Sequence, residues 1–169
     1  MAWMRKLLFL SSLLLLSNCS ISYKFNGASI NYDIIKTITI RNFPNQSPIQ
    51  YPELESIFME KLRNRYIQQT RLKLIDANGD LQLEGEIVGF DIAPMAVQAD
   101  GYAAKTKLTI TVRCRYSNRV KPDEDFEQTF TSFQEFDSNL LLSDVQYDLS
   151  QQITTEISDM IFNATVANW

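Results

Sequence analysis

The sequence predicts an α+β fold, a two-layer sandwich in which two amphipathic helices pack on one face of a mostly antiparallel four-stranded sheet. Three observations predict it. Two segments, 52–69 and 140–165, repeat apolar residues at helical spacing. The stretches around 34–41, 81–90, 105–116 and 125–133 alternate apolar and polar residues instead. The order is strand, helix, several strands, helix, and two helical stripes facing one sheet bury more apolar surface than either element alone.

Taken in order, Ile38 and Ile40 set one face of the first strand, and Thr37, Thr39 and Arg41 the other. Pro44, Pro48 and Pro52 punctuate the loop that follows. Pro52 suits the first position of a helix. Leu54, Ile57, Phe58, Leu62 and Tyr66 form that helix's stripe, with Glu53 and Glu55 at its start and Arg63 and Arg65 towards its end, as the helix dipole favours. A short strand is expected over 71–75. Asp76-Ala77-Asn78-Gly79-Asp80 then reads as a hairpin turn leading into the next strand. A calcium loop is rejected there, because the glycine and the twelfth-position glutamate are out of place.

Residues 91–104 read as a connection. The clearest strand follows, with Leu108, Ile110, Val112, Cys114 and Tyr116 on one face and Lys105, Lys107, Thr109, Thr111, Arg113 and Arg115 on the other. After a turn over 117–123, Phe126 and Phe130 point inward from the last strand, with Glu127, Thr129 and Thr131 outward. Leu142, Val145, Leu149, Ile153, Ile157, Met160, Ile161 and Ala164 make the stripe of the closing helix, and Ser143 with Gln146 reads as its capping box.

Composition narrows the function. The 169 residues suit one domain, and the 45% of hydrophobic residues are enough for a core. Sixteen basic residues face twenty acidic ones. Such a balance argues against nucleic acid as a partner, which needs a basic face. There is no histidine, so histidine-based triads and ordinary zinc sites cannot be built. No catalytic residue, cofactor or metal is expected. Asp123, Glu124 and Asp125 read as a polar turn, because an acid–base pair would need burial to shift its pKa. Only Cys19 and Cys114 are present, which excludes a disulfide framework, and Cys114 reads as a core residue.

Residues 1–18 read as a signal peptide: Arg5 and Lys6 precede an apolar run, Leu7 to Leu16, too short to be a good membrane span. The run ends in Leu16-Ser17-Asn18-Cys19. This resembles the lipobox of bacterial lipoproteins, although Asn18 stands where Gly, Ala or Ser is usual. Cys19 is the expected lipidation site. Residues 19–33 are then a lipidated tether and 34–169 the folded domain. Stretched at about 3.5 Å per residue, residues 20–33 reach roughly 50 Å, so the domain stays near its membrane. Ser20 is not Asp, which by the enterobacterial sorting rule resembles an outer-membrane destination.

Several segments together are similar to the LptE family of lipopolysaccharide-assembly lipoproteins, in the form found in Bacteroidota. They are the lipobox followed by Tyr23 to Ile30, Lys36 to Ile40 running into Asn42-Phe43-Pro44-Asn45, Asp80 to Ile87, Leu108 to Val112, Asp125 to Gln128, and Asn163 to Trp169. The resemblance implies an outer-membrane lipoprotein on the periplasmic side. It also implies association with an LptD-type β-barrel, whose lumen it partly plugs, and contact with lipopolysaccharide on its way to the outer leaflet. It implies two helices on a four-stranded sheet and no catalysis.

The row Lys105, Lys107, Arg113 and Arg115 is the candidate contact face. It could hold the phosphates and acidic sugars of lipopolysaccharide through charge-assisted bonds, or meet the barrel wall. It could also be a solvated face paired with Glu84, Glu86 or Glu127 across the strands. The competing functional readings are a periplasmic regulatory lipoprotein, such as an activator of a cell-wall synthase, and a hydrolase. The short tether counts against the first, and the lack of histidine and of a nucleophile motif against the second.

Overall fold

A computed structural model describes residues 30–95 and 105–166. The signal peptide, Cys19, most of the tether and the end of the closing motif lie outside these residues. Residues 30–33 open the described chain in a turn closed by Asn31, from which Ile30 and Tyr32 pack against the core.

The elements are β1 (Thr37–Ile40), α1 (Leu54–Gln69), β2 (Lys73–Leu74), β3 (Leu81–Pro94), β4 (Lys105–Asn118), a short 3-10 turn (Pro122–Glu124), β5 (Phe126–Asp137) and α2 (Leu142–Thr165). The α+β sandwich is as expected, but the sheet has five strands, in the order β2-β1-β3-β4-β5. The long ladders β3–β4 and β4–β5 are antiparallel. Both ladders of β1 are parallel. β5 forms the outer edge; its twelve residues hold no proline and its ladder no register shift.

The core lies between the sheet and the two helices. Every α1 stripe residue named above is buried, and so are Leu149, Ile153, Ile157 and Ile161 of α2. Phe43, from the loop after β1, is fully buried and meets Phe58 edge-on at 5.3 Å. Tyr66 meets Phe162 in the same way and bonds Thr165 Oγ1 through its hydroxyl, tying the C-terminal ends of the helices together. The buried face of α2 also holds Ser150, Thr154 and Ser158, which helical spacing of apolar residues alone does not mark. Thr154 Oγ1 donates to the Ser150 carbonyl within the helix. The expected Ser143/Gln146 capping box does not form. The N-cap is Leu141, which leaves Ser143 two positions too far inside the helix to cap it.

The hairpin expected at Asn78-Gly79 is replaced by a crossing. β2 and β3 do not pair; β1 lies between them. The connection passes over the outer side of β1 and uses its threonines. Ile75 N donates to the Ile38 carbonyl and Gly79 N to Thr39 Oγ1. Thr39 is thereby buried rather than outward-facing in solvent. A Cβ on Gly79 would lie 2.6 Å from Thr39 N and 2.8 Å from Ile38 C, so only glycine lets the two backbones approach this closely. Asn78 adopts a positive φ of 59°, the left-handed turn that asparagine tolerates.

Asp80 closes the crossing. One carboxylate oxygen accepts Lys36 N at 2.9 Å, Thr37 N at 3.0 Å and Thr37 Oγ1 at 2.8 Å. The Lys36 backbone bond, the Thr37 bonds and nearby Arg119 hold this carboxyl below its ordinary value of 3.8. A carboxylate with a lowered folded pKa adds stability that is fully present above the unfolded pKa and is lost as pH falls through the folded one. Asp80→Asn is therefore expected to cost about 2 kcal/mol at pH 7 and progressively less below pH 4, where the wild-type loses its advantage. Urea titrations of both proteins at pH 7 and pH 3 check this. An equal difference at both values would remove the ionic role.

β3 carries a bulge. Ile87 pairs with Val112 and Gly89 with Thr111, which leaves Val88 as the extra residue. Before it Leu81, Leu83 and Ile87 are buried, and after it the parity switches so that Phe90 is buried. The strand then runs on to Pro94, through residues expected to be a connection. Among the described residues no helix is long and apolar enough to cross a membrane.

Candidate functional site: the open face of the sheet

The helices cover one face of the sheet, and the crossing covers the outer side of β1. Among the described residues nothing covers the outer face of β3, β4 and β5. Strand alternation puts Lys105, Lys107, Arg113 and Arg115 of β4 on this face, as the sequence predicts. Leu108, Ile110, Val112 and Cys114 face the core with no measurable exposure. Burial pushes the Cys114 thiol up to about 12, so it stays protonated and inert at neutral pH.

The basic row is paired. Arg113 Nη1 lies 2.8 Å from Glu86 Oε1. Arg115 reaches Glu127 at 2.8 Å on one side and Glu84 at 3.5 Å on the other. The register explains this, because Arg115 pairs with Glu84 of β3 and Glu127 of β5, and Arg113 with Glu86. Lys105 meets Glu135 at 3.1 Å. Lys107 is the exception; its ammonium sits 5.0 Å from the centroid of the Phe133 ring. The paired side chains remain about half exposed, so each pair contributes little to stability. Arg41, directly after β1, joins Glu84 at 3.6 Å. Arg41, Glu84, Glu86, Arg113, Arg115 and Glu127 surround a shallow hollow of about 360 Å³.

The ion pairs fall at two ends of the face. Between those ends lie Thr109, Thr111, Thr129 and Thr131, with Asp91 opposite Thr109, Arg113 opposite Thr129, and Thr131 Oγ1 donating to Thr111 Oγ1 at 3.2 Å. Sequence reasoning put Arg41 on the outward side but did not name Phe133 as a member of this face, although its parity in β5 with Glu127, Thr129 and Thr131 places it there. Cys19, the expected lipidation site, lies outside the described residues.

The acidic turn is structural. Asp125 Oδ1 accepts Asn118 N at 2.6 Å, and Glu124 accepts from Asn118 Nδ2 and Lys121 Nζ. Among the described residues no group of three or more His, Cys, Asp or Glu could hold a metal ion.

Comparison with known proteins adds the family. Residues 35–165 match the model of the family described as LptE, lipopolysaccharide-assembly. No curated protein matches the chain. A hypothetical protein from Chlamydia trachomatis superposes with a TM-score of 0.51 at 11% identity, over 79% of this chain and 99% of that one. A minor lipoprotein from Acinetobacter baumannii gives 0.47 at 15% identity, over 80% and 95%. Rare lipoprotein B from Shewanella oneidensis gives 0.44 at 17% identity, over 75% and 92%. At 0.51 the first is evidence of a shared fold and of nothing more. The family match runs over well more than half of the sequence, and this chain belongs to the LptE lipopolysaccharide-assembly family.

Proposed function

We propose that the protein is an outer-membrane lipoprotein, held on the periplasmic side through acylated Cys19, that associates with and plugs an LptD-type β-barrel and assists lipopolysaccharide on its way to the outer leaflet. The family membership of residues 35–165 carries this reading. The architecture is in keeping with it. One sheet face is sealed by helices, and the other offers a broad polar surface rather than a catalytic cleft. A non-catalytic assembly role asks for such a surface, and the lumen of an outer-membrane barrel is itself polar.

The test is affinity purification of the tagged, full-length protein from detergent-solubilised outer membranes, with partners identified by mass spectrometry. A large β-barrel recovered in stoichiometric amount is the expected result. Recovery of a cell-wall synthase, or of no partner, would overturn the plug reading and put a periplasmic regulatory lipoprotein in its place.

A further inference from the structure

The geometry points to the threonine saddle of the open face, Thr109 and Thr111 on β4 with Thr129 and Thr131 on β5, as the surface that seats against the polar inner wall of the barrel, and not as a site for the phosphates of a glycolipid. This rests on the plug reading above and names the surface it would use.

The first argument is charge. Five cations lie on the open face: Arg41, Lys105, Lys107, Arg113 and Arg115. Strand parity adds Asp91, opposite Thr109, and Asp137, opposite Lys105, to Glu84, Glu86, Glu127 and Glu135, so six carboxylates share it. A polyanion gains from a surface with unspent positive charge. Here four of the five cations already face carboxylates, and the fifth lies on the Phe133 ring. Binding a phosphate would mean breaking an existing pair and leaving a carboxylate beside it, where like charges repel.

The second argument is what the saddle offers. The hydroxyls of its four threonines can both donate and accept, and the only bond recorded among them joins Thr131 to Thr111. Thr129 and Thr131 are exposed, and Thr109 and Thr111 half-buried. A partner wall of neutral polar side chains can bond these hydroxyls without stripping any ion pair. The third argument is shape. β3 and β4 each run for fourteen residues, which at about 3.3 Å each makes strands roughly 46 Å long, and the polar stripe extends with them.

The test places a photo-crosslinking phenylalanine analogue at Thr111 or Thr131 in the membrane-anchored protein, with Asn64 and Gln152 on the exposed sides of the helices as controls. Adducts with the barrel at Thr111 and Thr131, stronger than at the two helix positions, are expected. Thr131→Arg should lower barrel recovery about tenfold, as one mispacked residue at the centre of a buried interface does, while Asn64→Arg leaves it unchanged. Adducts with glycolipid or with a second copy of the chain at Thr111 and Thr131, or barrel adducts from the helix positions alone, would overturn the assignment. The unirradiated purification separates the two claims. If the barrel is recovered there but the saddle fails to crosslink, only this assignment falls. If no barrel is recovered, the plug reading falls and the assignment with it.

Discussion

Gly85→Ala should destabilise the domain by at least about 3 kcal/mol, enough to lower its Tm by roughly 10 °C. Gly85 lies in β3 opposite Cys114, on the side that faces the core. A Cβ built there would lie 2.1 Å from the Arg113 carbonyl oxygen and 2.5 Å from Cε1 of Phe43. Neither neighbour can yield. The carbonyl belongs to the central strand, and Phe43 is fully buried with its ring held edge-on by Phe58. Overpacking costs more when the obstacle is backbone than when it is the tip of a side chain, because rotamer changes cannot relieve it. Gly89→Ala is the control. Its nearest obstacle, at 2.9 Å, is the carboxylate end of Asp91, which is free to swing away. Chemical denaturation of both variants checks the contrast. A Gly85→Ala protein within about 1 kcal/mol of wild-type would mean that Phe43 is not packed as described.

Cys19→Ala should move the full-length protein from the detergent phase to the aqueous phase in a detergent phase separation. Each buried methylene contributes about 0.8 kcal/mol, so one acyl chain anchors marginally while two or more anchor stably. The thiol is the expected attachment point for the chains, and removing it is expected to remove anchoring altogether. Phase separation is a better measure than pelleting, because a variant still bound to a barrel would sediment with membranes without any lipid of its own. Unchanged partition into detergent would mean that Cys19 is not the lipidated residue.

Most of the layer architecture is legible from periodicity alone. The alternation from Leu108 to Tyr116 and the stripe from Leu54 to Tyr66 each have one reading, since a one-residue slip would turn the core residues outward. The position of β1 was not legible. Asn78-Gly79 is a local turn signal, and nothing local to residues 71–90 reveals that a strand from residues 37–40 slips between β2 and β3. The threonines that accept the crossing read as ordinary outward strand residues until their hydroxyls find Gly79 N and the Asp80 carboxylate. The same limit holds for the site. The row of cations from Lys105 to Arg115 is plain in the sequence, and Glu84, Glu86 and Glu127 are plausible partners. Register alone decides that Arg115 sits between Glu84 and Glu127, and that pairing turns a basic row into a balanced face.

The edge position of β5 has a cost for the chain before it meets any partner. From Phe126 to Asp137 one side of the strand has no neighbouring strand among the described residues, and neither a proline nor a bulge blunts it. Such an edge is a template for uncontrolled strand addition, the first step of aggregation. The safeguard lies in the acidic side chains along it. Antiparallel pairing of two copies centred on Thr131 would set Glu127 of each directly against Glu135 of the other, and like charges directly opposite one another oppose pairing. The carboxylates that balance the open face therefore also protect newly made copies from one another, and a chain that lost Glu127 and Glu135 would have given up solubility as well as charge balance.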